Sequence, residues 1–214
     1  MAPSVNSSTS TTHNLTSKDL QTLRNRLISI AKQAGTIILA VKPTALTIST
    51  KKNAADIVTE TDKAVESFVR ESLAAHYPSF AFIGEETYDP GLSLTNEPTF
   101  IVDPIDGTSN FVHGFPDVAV SIALVVDKQP TVGVVYCPFR DDLWVAIKGQ
   151  GAYALQGNGL NTEDNINFDL NLDVFATLLR TTSTGGRFVN SLRCTGPAAI
   201  AICRVAAGQQ DAFW

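Results

Sequence analysis

The sequence is poor in the features that mark secreted, membrane-spanning or nucleic-acid-binding proteins. Its 214 residues include three cysteines, three histidines, two tryptophans and one methionine. Cys137, Cys194 and Cys203 are odd in number and lack metal-ligand spacing, so they read as reduced thiols rather than a disulfide framework or a zinc site. Charged residues make up only 17% of the chain and the net charge is −5. Lys and Arg form no dense stripe, which argues against a nucleic-acid partner. No uninterrupted apolar run of about 18 residues occurs, so no segment reads as a membrane span. The N-terminus lacks the basic start, apolar stretch or arginines of a targeting signal. Nine of the first 17 residues are Ser or Thr, and the first Lys or Arg is Lys18. The expectation is a cytoplasmic protein whose residues 1–16 form a disordered Ser/Thr-rich tail.

What is present is ordinary for a globule with a real core, at 44% hydrophobic residues. Thr16 and Asp19 stand at capping-box spacing. Leu20, Leu23, Leu27, Ile30, Ala34, Ile37 and Val41 then recur at helical steps until Pro43. A second helix is expected over about Asp62–His76. Short β runs follow at Phe80–Ile83, Thr99–Val102, Val118–Val126, Val132–Tyr136 and Leu143–Ile147, the last three reading as an antiparallel meander. Residues 156–173 read as an exposed connection and Val174–Thr181 as another strand. Pro197 then stands where a helix begins and Gly208 where it ends. This order suggests a layered α+β architecture.

The chemistry lies in carboxylates placed just past apolar strands. Phe80-Ala81-Phe82-Ile83 leads into Gly84-Glu85-Glu86, and Phe100-Ile101-Val102 leads into Asp103-Pro104-Ile105-Asp106-Gly107-Thr108. Strand ends suit ligand sites because loops there can be shaped without disturbing the core. Asp103 and Asp106, three apart across a proline, can point to one spot, and close carboxylates repel unless a cation lies between them. An all-oxygen donor set favours Mg²⁺ over zinc. Two metals held by shared carboxylates could clamp a phosphate for in-line attack by water. Seen in isolation, each acidic segment is also compatible with a solvated turn.

Together these segments resemble the inositol monophosphatase family, the lithium-sensitive, Mg²⁺-dependent phosphatases of the fructose-1,6-bisphosphatase superfamily. Lys51 followed by Asp56-Ile57-Val58-Thr59-Glu60-Thr61-Asp62 is similar to one family segment. Gly84-Glu85-Glu86 and the run from Asp103 to Thr108, continued by Asn110-Phe111-Val112-His113-Gly114-Phe115-Pro116, are similar to two more. Gly196-Pro197-Ala198-Ala199 resembles a fourth. The resemblance implies an inositol monophosphatase-like domain over residues 17–214, with the family's layered αβαβα sandwich. It implies two or three Mg²⁺ ions: Glu85, Asp103 and the Ile105 carbonyl would hold the first, and Asp103 and Asp106 would share the second. Thr108, hydrogen-bonded to Asp62, would orient the attacking water, with Glu85 nearby. Gly107 and Thr108 amides would receive the phosphate, with Gly196 and Lys51 also facing the substrate. A small phosphate monoester, above all inositol monophosphate, and a homodimer are expected, with neither nucleic acid nor membrane as partner.

The chain also departs from the family pattern. The stretch between Arg180 and Arg193 is shorter, and Pro197 replaces a hydroxyl residue. The sequence ends at Trp214, before a family Glu that binds substrate hydroxyls and a Trp-Asp motif that ligates the second metal. The resemblance thus suggests a domain incomplete at its C-terminal side, with a firm first Mg²⁺ and a weak second. The alternative is a catalytically impaired form that acts as a dimer partner or Mg²⁺-binding protein.

Overall fold

The computed structural model describes residues 15–41, 54–157 and 196–210. Ser17–Ala40 form the first helix, α1, entered through the expected capping box. The Asp19 amide donates to the Thr16 hydroxyl at 3.2 Å, and the Thr16 amide donates to the Asp19 carboxylate at 2.9 Å. These bonds satisfy amides that the start of a helix would leave without acceptors. Leu23, Leu27, Ile30, Ala34 and Ile38 are fully buried, while Leu20, Ile37 and Val41 pack at the core's edge. The second helix, α2, spans Ala54–Ala74 and so begins well before Asp62. Its first turns carry Ile57, Val58, Thr59 and Thr61, residues of modest helix propensity that hide the start from a periodicity reading.

Six strands follow: β1 (Ala81–Gly84), β2 (Thr99–Asp106), β3 (Ala119–Val126), β4 (Gln129–Cys137), β5 (Asp142–Ile147) and β6 (Gly151–Leu155). They lie in chain order in one sheet. β1 and β2 are parallel and every later pair is antiparallel. The expected meander therefore exists and is longer on both sides. β6 was not expected. Its Gly-Ala-Tyr-Ala start carries little strand propensity, and pairing with β5 decides its conformation. The β3–β4 turn is Asp127-Lys128, both at positive φ (51° and 61°), as a tight two-residue hairpin demands. Pro130 lies inside β4 at a register shift rather than in the turn.

Alternation along the strands divides the sheet into two faces. Phe100, Val102, Val120, Ile122, Leu124, Val134, Leu143 and Val145 face α1 and α2 in the main core. Ala119, Cys137, Trp144 and Ala154 face the other way and pack against Ile200. Ile200 belongs to α4 (Ala198–Ala206), while a short α3 (Thr108–Val112) directly follows β2. Cys137 and Cys203 are free thiols. The expected strand Val174–Thr181, Cys194, Lys51 and all of the N-terminal tail up to residue 14 lie outside the described residues. Among those described, no helix is long and apolar enough to cross a membrane.

Leu27 is 0% exposed at the centre of α1, so Leu27→Ala removes buried methyl groups and leaves a cavity. A loss of about 2–5 kcal/mol in urea unfolding is expected. A loss below about 1 kcal/mol would show that α1 is not held by this face.

Candidate active site

The site is built around an irregularity in β2. Its register against β3 runs Asp103 to Ser121 and then Asp106 to Ala119, so β2 carries one extra residue between the two aspartates. Pro104, which has no amide to give the ladder, lies in this bulge. Strict alternation would send residues three apart to opposite faces. The extra residue re-aims the strand, and Asp103 and Asp106 come close enough to feel each other's charge. The chain then turns at Gly107, whose φ is +92°. A Cβ there would sit 2.9 Å from Pro197 Cγ and 3.0 Å from the Asp117 carbonyl oxygen. Both the left-handed conformation and the tight neighbours require glycine.

Glu85 arrives from the loop after β1, and that loop is held from beneath by α2. Glu66, on α2 and only 2% exposed, accepts hydrogen bonds from the Glu86 amide at 2.8 Å, the Thr87 hydroxyl at 2.6 Å and Arg70 at 3.2 Å. A Cβ on Gly84 would lie 2.2 Å from the Glu66 carboxylate, so the loop closes over Glu66 only with glycine there. Asp62 lies one turn earlier on the same helix, 4% exposed. Since α2 begins at Ala54, Asp62 is a helix-interior residue and not a cap.

The electrostatics follow from crowding acids in partial burial. Burial pushes Asp62 up to about 7, and the charges of Glu86, Glu85 and Glu66 push in the same direction. Burial likewise pushes Asp103 up to about 8, reinforced by the charge and hydrogen bond of Glu85 and then by Asp106 and Asp62. Oδ1 of Asp103 is buried without any hydrogen-bond partner, a costly state for an acceptor. Burial raises Asp106 as well, but the amides of Ala199 and Ala198 pull it back. These amides donate to the two Asp106 oxygens at 2.6 and 3.2 Å. Pro197, the N-cap of α4, has no side chain with which to cap it. Asp106 does this from another part of the chain. Cys203, pushed up to about 12 by burial and the Asp106 charge, is held as an inert thiol.

The expected residues fall into three groups. Asp62, Glu85, Asp103 and Asp106 form one mutually repelling set drawn from α2, the β1 loop and β2. Gly107 and Thr108 lie at the start of α3, where helix geometry leaves amides without intrahelical acceptors. Gly196 immediately precedes the cap of α4, and Lys51 lies outside the described residues. One expected contact differs. The Thr108 hydroxyl donates to the Ile105 carbonyl at 3.0 Å instead of to Asp62, the local bond that a Thr in a first helical turn readily makes. Among the described residues, no three of His, Cys, Asp and Glu are gathered tightly enough to chelate an ion as they stand. The donor chemistry nevertheless suits a hard cation: the set is all oxygen, burial and the neighbouring acids raise the pKa of Asp103, and one of its buried oxygens lacks any donor. Reading from sequence missed Glu66 and Asp117. Glu66 falls at helical spacing from Asp62, a signal that was available. Asp117 has no local signature, because its partners are distant in the chain.

Comparison with known proteins agrees with this fold. The inositol monophosphatase family model matches residues 19–214. Inositol monophosphatase 2 of Saccharomyces cerevisiae is 44% identical over 186 residues, covering 77% of this chain and 63% of that protein. Inositol monophosphatase 3 of Solanum lycopersicum is 45% identical over 178 residues, covering 76% and 65%. The chain thus spans slightly under two thirds of the length of these curated relatives. Among solved structures, inositol monophosphatase II of Staphylococcus aureus superimposes with a TM-score of 0.65 at 28% identity, covering 88% of this chain and 73% of that one. The architecture is the α+β fold of the inositol monophosphatase type. This chain belongs to the inositol monophosphatase family.

A pH dependence follows from the raised acids. Asp62 and Asp103 have folded pKa values of about 7 and about 8, both above the 3.8 of an ordinary aspartate. In the absence of divalent cations, the stability they contribute is complete below about pH 4. It is lost as pH rises towards 8, because the unfolded chain releases these protons first. In EDTA, the melting temperature is therefore expected to fall between pH 5 and pH 8.5, with a shallower fall in Asp103→Asn. Parallel curves for the two proteins would contradict the assigned shifts.

Proposed function

We propose that this chain is a phosphate-monoester hydrolase acting on inositol monophosphate with Mg²⁺ as cofactor. One observation carries the reading: Asp62, Glu85, Asp103 and Asp106 are forced into a mutually repelling set that leaves a buried Asp103 oxygen without a donor. Membership of a family whose relatives bear the name inositol monophosphatase supports the reaction class and the substrate. A staphylococcal relative has a structure with inositol monophosphate bound, with a TM-score of 0.60 at 28% identity.

Glu85, Asp103 and the Ile105 carbonyl would hold a first cation, and Asp103 and Asp106 would share a second. When bound, such a cation supplies positive charge that polarises the phosphate and makes a water easier to deprotonate. The remaining steps belong to side chains and amides. Thr108, its own proton donated to Ile105, keeps lone pairs that accept from the attacking water and orient it. Glu85, the exposed member of the set, takes up the proton released as the water attacks. Asp62 supports the negative side of the site from α2. Gly107 and Thr108 amides receive the phosphate oxygens, while Gly196 and Lys51 face the polyol side. Millimolar lithium inhibition, a homodimer and a cytoplasmic location belong to the same reading.

Two outcomes test it. Release of inorganic phosphate from inositol monophosphate should require Mg²⁺ and disappear in excess EDTA. Undiminished turnover in chelator would end the metal-dependent reading, and Mg²⁺ binding without any turnover would reduce the chain to a cation-binding protein. Asp106→Asn removes a ligand charge, and kcat is expected to drop by about 10²–10³. The same substitution turns an NH₂ towards one of the two donating amides of α4, so it should also cost about 1 kcal/mol of stability, as loss of a helix cap does. Near-normal kcat in a variant with the expected stability loss would make Asp106 a cap and nothing more.

A further inference from the structure

Asp117 precedes β3, buried at 3% exposure, and nothing in the proposed chemistry uses it. Its two ends make different attachments. The main-chain carbonyl accepts from the Asn110 side chain at 2.8 Å and lies against Gly107, which ties it to the turn that follows Asp106. The carboxylate is bound by two guanidinium groups. Arg140, from the β4–β5 turn, approaches Oδ1 at 2.7 Å, and Arg204 of α4 reaches both oxygens at 3.4 Å. Arg204 lies on the helix whose first two amides hold Asp106. One residue therefore clamps both sides of the Asp106 contact.

We propose that Asp117 is a positioning residue, which sets α4 through Arg204 so that the Ala198 and Ala199 amides meet the Asp106 carboxylate. A nine-residue helix entered through proline has no side-chain cap of its own, so the register of its first turn against Asp106 must be set elsewhere along it. Arg204 lies near the opposite end and is only 16% exposed. With Ile200 already seated against the sheet, the paired contact of Arg204 with a buried carboxylate limits the remaining rotation and translation of the helix. Arg140 holds the same carboxylate from the sheet side, so Asp117 cannot swing towards Arg204 and let the helix drift. Groups that orient a ligand in this way typically change metal affinity by 10-fold or more when removed, without touching the metal. The consequence for cation binding rests on the function proposed above. The placement of the amides does not.

The full chain can be tested in two ways. Amide hydrogen exchange, followed by nuclear magnetic resonance without metal, reads the Asp106 contact directly. In Asp117→Asn and Arg204→Met, exchange at Ala198 and Ala199 should accelerate about tenfold or more, approaching Asp106→Asn. Exchange at Leu27 and Val65 should change far less, and Arg204→Lys, which keeps the charge without the paired contact, should recover protection only in part. Unchanged exchange at the two alanines overturns the proposal. So does acceleration that is equal at Leu27 and Val65, which would mark general loosening. Should Asp117→Asn not fold, Arg204→Met and Arg140→Met carry the same comparison, because Arg140 is 41% exposed and its loss leaves the core intact. Mn²⁺ affinity, read by electron paramagnetic resonance, separates this proposal from the functional one. Asp106→Asn, Asp117→Asn and Arg204→Met should each bind Mn²⁺ roughly 10-fold more weakly than the unaltered chain. Unweakened binding in Asp106→Asn counts against the metal site itself. Weakened binding in Asp106→Asn alone overturns the effect of Asp117 on cation binding.

Discussion

Repulsion among partly buried carboxylates is the constraint that shapes this molecule. Burial and the charge of Glu85 raise the proton affinity of Asp62, Asp103 and Asp106, so left to themselves these acids would move apart or bind protons. The surrounding scaffold prevents the first. α2 holds Asp62 in its interior and grips the Glu85 loop through Glu66. The bulge at Pro104 prevents β2 from sending its two aspartates to opposite faces. α4 donates two amides to Asp106. α2 and β2 are anchored in the main core, and α4 is anchored on the opposite face of the sheet through Ile200.

That anchoring explains why the site lies at one edge of the architecture. The main core fills the space between the sheet and the first two helices, and its side chains are almost completely buried. On the other face the packing group is smaller, with Ile200 of α4 against Ala119, Cys137 and Trp144. The acids lie where β1 and β2 run out of the sheet, the common position for a ligand site in a layered α/β arrangement. Acidic loops can be held there by helix ends and buried partners without unpaired backbone inside the core.

Asp106 does two physical jobs whose demands differ. As a cap it satisfies amides at the start of a helix that proline leaves without a side-chain acceptor. As a proposed ligand it must keep lone pairs and negative charge for a cation. A carboxylate can do both, since each oxygen accepts more than one contact, and the helix amides favour its charged form. An amide or hydroxyl side chain would meet neither need fully.

The sequence by itself determined the elements whose signals are local. Thr16 with Asp19 announced the start of α1, the apolar steps from Leu20 announced its buried face, and short β runs announced β3, β4 and β5. The acidic segments after β1 and β2, with the glycines at 84 and 107, were legible as a site because their residue types and order are chemically unusual. Tertiary structure decided what depends on distant partners. It began α2 at Ala54 despite β-branched residues, added β6 through pairing with β5, and directed the Thr108 proton to Ile105. It also placed Glu66 beneath the Glu85 loop and joined Asp117 to Arg140 and Arg204. No local pattern encodes such contacts, because a buried charge finds its partners only when separate elements pack and water is excluded between them.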